Sequence, residues 1–154
     1  MRTVHIKEYF EDFDLGDTAT SPGRTIIEAD QFRHAGLIGQ YGKLETNKAY
    51  MEEHHEYGEI VPSGPFRVNL IVGMWKRLPD WDFKEIALYE IQSVKFPNPA
   101  FFDETVHLEA EVVDKHERDE DSGFVVFRSR LVTEEGKVVA VMDWNILLER
   151  DPDR

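Results

Sequence analysis

The sequence predicts an α+β domain in which an antiparallel sheet wraps a single apolar helix. Two observations carry this expectation. Apolar residues recur at helical spacing in one stretch after Pro62, and from about Ile86 onward the hydrophobic period changes from 3.6 to 2 through a series of strand-like segments. The length agrees, since 154 residues make one domain, residues 1–154, that buries roughly 70% of its unfolded surface without a disulfide or metal staple.

The elements follow in order. Phe10 to Asp17 carries turn residues, and Thr25 and Glu28 have capping-box spacing before Ala29, Phe32, Ala35 and Gly36, so a helix is expected from about Glu28 to Ile38. Gly39 and Gly42 punctuate the chain, and a short polar helix is expected from about Asn47 to His54. Pro62-Ser63-Gly64-Pro65 then opens the strongest helix, because proline is tolerated in a first helical turn. Phe66, Leu70, Ile71, Met74, Trp75 and Leu78 follow on one face that must be buried.

Strands are expected from Ile86 to near Phe96, and through Val106, Leu108, Ala110 and Val112, which alternate with His107, Glu109 and Glu111. Two more, Gly123 to Val132 and Val138 to Leu148, flank Glu134-Glu135-Gly136-Lys137, a loop suited to a hairpin. Glu117 to Asp121 is a further hairpin tip. A lone apolar helix followed by antiparallel strands must be covered by the concave face of their sheet, which is the hotdog architecture. Pairing with a second copy or a related chain covers the sheet edge left over, so a dimer is expected.

Charge narrows the partners. Eighteen Lys plus Arg against 31 Asp plus Glu give a net charge of −13, which disfavours nucleic acid and anionic membrane surfaces. An anionic ligand such as a coenzyme thioester needs a local basic patch, for which Lys95, Arg128 and Arg130 are candidates, although salt pairing is the simpler reading of the two arginines. The chain is 41% hydrophobic with ten Phe, too apolar for disorder, and no apolar run reaches the length of a membrane span. With no cysteine there are no disulfides or thiolate metal sites. The opening Met1 to Tyr9 lacks an apolar export core, so a cytoplasmic location is expected. His54-His55 is a poor chelate because adjacent helical residues diverge by about 100°, and no metal or cofactor is expected.

The stretch Gly39 to Tyr50 followed by Gly58-Glu59-Ile60-Val61-Pro62-Ser63-Gly64 resembles the motif region of the MaoC-like (R)-specific enoyl-CoA hydratases and dehydratases. Phe10 to Gly16 is similar to that family's opening Phe-Glu-Asp-Phe-x-x-Gly. Lys95-Phe96-Pro97-Asn98-Pro99 with Asp103-Glu104-Thr105 is similar to its strand ending in Pro-Val before Gly-Asp-Thr. The similarity runs from about residue 8 to 149, and it implies a hotdog fold that handles acyl-CoA, or acyl-carrier-protein, thioesters.

The departures fall on the chemistry. Gln40 stands where the family has its catalytic Asp, Glu45 where it has its His, and Ser63 replaces the His of the turn before the central helix. In hydration one group takes a proton from water, a partner orients that water, and a backbone N–H holds the developing enolate oxygen. Gln40 is then the water-orienting amide, Glu45 the base if an apolar enclosure tunes it, and Gly64 the N–H donor at a helix N-terminus. Ser63, Tyr41 and His54 are candidate substrate contacts, with either histidine of the pair able to fold over the site. Positions 40 and 45 converge only if the chain breaks between them, which Gly42 permits. Alternatives remain a non-catalytic subunit that partners an intact MaoC-like chain, and an acyl-CoA thioesterase.

Overall fold

A computed structural model of the chain describes residues 4–154. Met1 to Thr3, where the reading of the N-terminus begins, lie outside the described residues. After a one-turn 3-10 helix, Phe10–Asp12, come β1 (Thr18–Thr20), β2 (Arg24–Thr25), α1 (Glu28–Ile38), α2 (Lys43–Thr46), α3 (Lys48–His54) and α4 (Gly64–Trp75). Four long strands follow, β3 (Glu85–Lys95), β4 (Thr105–Glu117), β5 (Ser122–Thr133) and β6 (Val138–Glu149). They form one antiparallel sheet in the order β1-β4-β5-β6-β3, with β2 also on β4. This is the α+β layering expected from the change of period.

The sheet buries α4. Phe66, Leu70, Ile71, Met74 and Trp75 of the helix are buried, as is Leu78, which lies past its C-terminus rather than on the expected helix, against Leu108, Phe127, Met142, Trp144 and Ile146 among the inward positions of the strands. Aromatic rings set the geometry at the helix C-terminus. Trp75 stacks on Phe83 at 3.5 Å between centroids and meets Trp144 edge-on at 4.8 Å, and Phe13 closes the far side of Phe83 at 5.4 Å. The edge-to-face contact with Trp144 adds to simple area burial. The Phe66, Leu70, Met74 face is thus core packing. Near the sheet's end Gly123 lets the Phe10 ring lie on the β5 backbone, since a Cβ there would come within 2.4 Å of that ring.

Some expectations shift. Helix α1 has the expected bounds, but its first turn is capped by Asp30, whose carboxylate accepts from the Ile27 N–H at 3.3 Å. Thr25 is instead committed to β2, where its hydroxyl pairs with that of Thr105 at 2.8 Å. The buried face of α1 is Gln31 and Ala35, and Phe32 is exposed. The strands β1 and β2 are too short to show a period, which is why the sequence does not announce them.

One edge of the sheet is bare. Among the described residues, strand β3 pairs only with β6, and it exposes Ile86, Leu88, Tyr89 and Ile91. No helix among the described residues is long and apolar enough to cross a membrane.

Candidate functional site

The site is built where three segments meet at the N-terminus of α4. Ser63 is the cap of that helix, extended at φ −68°, ψ 160°, and its Oγ accepts from the Phe66 N–H at 3.2 Å. Pro65 has no N–H to satisfy, and the Arg67 N–H donates to the Ser63 carbonyl at 3.0 Å. Among the described residues, Gly64 therefore carries the one first-turn N–H without a protein partner. The fully buried Gln31 fixes the turn from below, its Oε1 accepting from the Ser63 N–H at 2.9 Å.

A second segment arrives from α1. Gly39 ends that helix in the left-handed region at φ +74°, and the chain restarts at Lys43 as a single turn. The break between positions 40 and 45 is made here. Gly42 itself has φ −71°, open to any residue, and what it needs is space. A Cβ at 42 would stand 2.3 Å from Glu45 Oε2, so the missing side chain is what allows the carboxylate to fold back.

The consequence is a hydrogen-bonded chain. Ser63 Oγ donates to Gln40 Oε1 at 3.3 Å, and Gln40 Nε2 donates to Glu45 Oε1 at 3.3 Å. These bonds fix the Gln40 amide orientation, with oxygen toward serine and nitrogen toward the carboxylate. All three side chains and Gly64 line one cavity of about 210 Å³, whose apolar wall includes Leu44, Met51 and Val61. Phe96 packs over the helix end, within 3.1 Å of where a Gly64 Cβ would lie. A larger residue at 64 displaces that ring.

Other sequence candidates lie elsewhere. Tyr41 is 68% exposed with its hydroxyl on the Gly36 carbonyl at 3.3 Å, outside the cavity wall. His54 is exposed against Glu53 and the Tyr50 ring, whereas its neighbour His55 is half-buried and does line the cavity. The His55 Nδ1 accepts from the Tyr57 N–H at 3.2 Å, which leaves Nε2 as the protonated nitrogen of the neutral ring. His34 contacts Asn69 at 2.8 Å and the Phe66 ring, away from this cavity. Arg128 forms a two-point ion pair with Asp143 at 2.9 Å, and Arg130 lies 3.8 Å from Glu111, so both answer carboxylates of the sheet. No group of three potential metal ligands gathers among the described residues.

Sequence reasoning missed Arg67, which also lines the cavity. A signal existed, for Arg67 is the single charged residue in Gly64–Trp75. Burial holds its guanidinium below the usual arginine value, with the Tyr57 phenol acting in the opposite direction.

No family model matches the sequence, and no curated protein matches it either. Solved structures do. A monoamine oxidase regulatory protein from Archaeoglobus fulgidus superposes with a TM-score of 0.87 at 26% identity, over 98% of this chain and 100% of that one. A MaoC-like dehydratase from Rhodospirillum rubrum gives 0.77 at 18% identity, over 94% and 98%. The chain has the hotdog fold of the MaoC-like proteins. A Mycobacterium tuberculosis protein described as a double hotdog gives 0.84 at 15% identity, over 96% of this chain and 46% of the other. Two such units in one molecule are therefore an arrangement this fold takes.

Proposed function

We propose that this chain is a MaoC-like hydratase or dehydratase, which adds water across, or removes it from, the α,β bond of an acyl-CoA thioester. The observation that carries the reading is the Ser63–Gln40–Glu45 hydrogen-bonded chain ending beside the unpartnered Gly64 N–H in one cavity. A thioester oxygen at Gly64 gains a donor and the positive end of α4, so charge developing as an enolate is stabilised where it forms. Gln40 orients the water. Glu45 takes one proton from it as the hydroxyl bonds to the β-carbon, and returns that proton to the α-carbon as the enolate collapses. Water is consumed whole and Glu45 ends as it began. Removal of water is the same path reversed.

The bare β3 edge supports a dimer, whether with a second copy or with a related hotdog chain. Exposed backbone groups and apolar side chains on an edge strand invite pairing, which would extend the sheet and cover Leu88 and Ile91. A cytoplasmic location fits the absence of cysteine.

The test is hydration of trans-2-enoyl-CoA substrates by the wild type and Glu45→Ala. Loss of the general base is expected to lower the rate by about 10²- to 10⁴-fold. Equal rates in the two proteins would remove Glu45 from the reaction. Release of free thiol from acyl-CoA without hydration would identify a thioesterase. Activity only on adding a chain that carries the Asp and His pair would identify a binding subunit.

A further inference from the structure

Arg67 is a cation held without a counter-ion. Among the described residues every other arginine except the exposed Arg77 has a carboxylate oxygen within 4.0 Å. Arg67 has none, although the chain carries 31 acidic residues against 18 basic ones. Its partners are backbone carbonyls, with Nη1 on Val139 at 2.8 Å and Asn98 at 3.0 Å, and Nε on Ser63 at 3.4 Å. The face of the Phe96 ring lies 4.6 Å from the guanidinium carbon. These contacts fix the plane of the guanidinium and leave the two N–H groups of Nη2 unused and open to solvent. The side chain lines the cavity that holds Gln40, Glu45, Ser63 and Gly64.

Half-buried charges are ordinarily paired, because desolvation is costly unless an opposite charge offsets it. A planar, pre-oriented fork with a spare amino group is suited to a carboxylate. We propose that the acyl group taken by this cavity carries a second carboxylate, held by Arg67, so that the substrate is a short dicarboxylic acyl thioester. The inference rests on the reading of the cavity as an acyl-thioester site. It makes Arg67 a specificity residue, acting on the end of the acyl chain remote from the bond that reacts, and it gives an acidic protein a local means of admitting an anion.

Binding of unreactive thioesters tests this apart from catalysis. Glutaryl-CoA and valeryl-CoA have five acyl carbons each and differ in a terminal carboxylate against a methyl. Calorimetric titration of the wild type is expected to show glutaryl-CoA binding about ten- to a hundredfold tighter, the range for a hydrogen bond to a charged group. Arg67→Gln should erase the preference, read as the ratio of the two affinities within the variant, while Arg67→Lys should keep part of it. The same pair as pantetheine thioesters, which lack the nucleotide phosphates, should show the same preference. Equal affinities in the wild type overturn the proposal without any variant having to fold. A preference that vanishes on the pantetheine thioesters also overturns it, by assigning Arg67 to a coenzyme phosphate. Failure of the wild type to bind either thioester would refute the thioester reading itself.

Discussion

Gly42→Ala separates the position of Glu45 from its chemistry. The backbone at 42 lies at φ −71°, ψ 164°, which alanine adopts freely, and the residue is exposed, so folding should be unaffected. The added methyl would stand 2.3 Å from Glu45 Oε2. Oε2 must retreat by about 1 Å to restore an ordinary contact, which turns the carboxylate out of its present position beside Gln40, whose 3.3 Å bond is to the other oxygen, Oε1. A displacement of about 1 Å at a reacting group costs on the order of 10²-fold in rate. Alanine at 42 is therefore expected to lower kcat for enoyl thioester hydration about a hundredfold, with the melting temperature unchanged and KM little moved. Steady-state hydration kinetics beside a thermal melt read both. A Gly42→Ala protein as fast as the wild type, when Glu45→Ala is slow, would show that the folded-back carboxylate is not the reacting conformation.

Ser63→Ala removes both a helix cap and the donor that orients Gln40, so chemical denaturation should show a loss of about 1 kcal/mol together with slower turnover. In Gly123→Ala the new Cβ meets the buried Phe10 ring at 2.4 Å, and overpacking of this kind should cost about 1–3 kcal/mol by the same measurement. Ile91→Lys places a charge on the bare edge strand and should convert a sedimenting dimer to monomer, with no change expected if the edge is unused. Acid should destabilise the N-terminal cluster. Desolvation opposes ionisation of Glu11, Asp12 and Asp17, but hydrogen bonds from backbone N–H groups and from Arg150, His5 and Lys7 respectively outweigh it and hold all three carboxyls below their ordinary values. Their contribution is present above the unfolded-state values and is lost as pH falls through the folded ones, so stability should decline below about pH 4. A flat profile from pH 5 to pH 2 would contradict this.

The fold was legible because the two periods of the chain are clean. Six apolar side chains at helical spacing from Phe66 to Leu78 belong to one buried stripe, and the alternation from Val106 to Val112 belongs to a strand with one face inward. Local punctuation was harder to apportion. Gly39 and Gly42 look alike in the sequence, yet one supplies a positive φ and the other supplies room for a carboxylate. The distinction depends on where Glu45 turns, which is a tertiary fact. His54 and His55 likewise part where α3 ends, since His54 is its last residue and His55 is the extended cap at φ −113°, ψ 141°, which sends one to solvent and the other to the cavity wall. Arg67 went unread because an arginine in an apolar helix ordinarily reaches out of the core by its length, whereas this one is held by the carbonyls of Asn98, in the loop after β3, and Val139, at the start of β6.

The exchange of an acid–base pair for Gln40 and Glu45 leaves proton accounting intact, and that is why the altered residues remain compatible with hydration. Adding water moves one proton from oxygen to the α-carbon, and a single carboxylate reaching both can carry it. The amide is needed only to hold water, which it can do through Nε2 while Ser63 anchors its oxygen. A two-group site titrates twice, once for the base and once for the acid, and gives a bell-shaped rate profile. A site with one working acid–base group gives no such bell. Replacing Gln40 by Glu would set two carboxylates about one hydrogen bond apart, where like charges resist ionising together, and a further step should then enter the rate profile. A bell-shaped profile in the unmodified protein would count against a single-carboxylate site and turn attention to His55 and Tyr57, which also line the cavity.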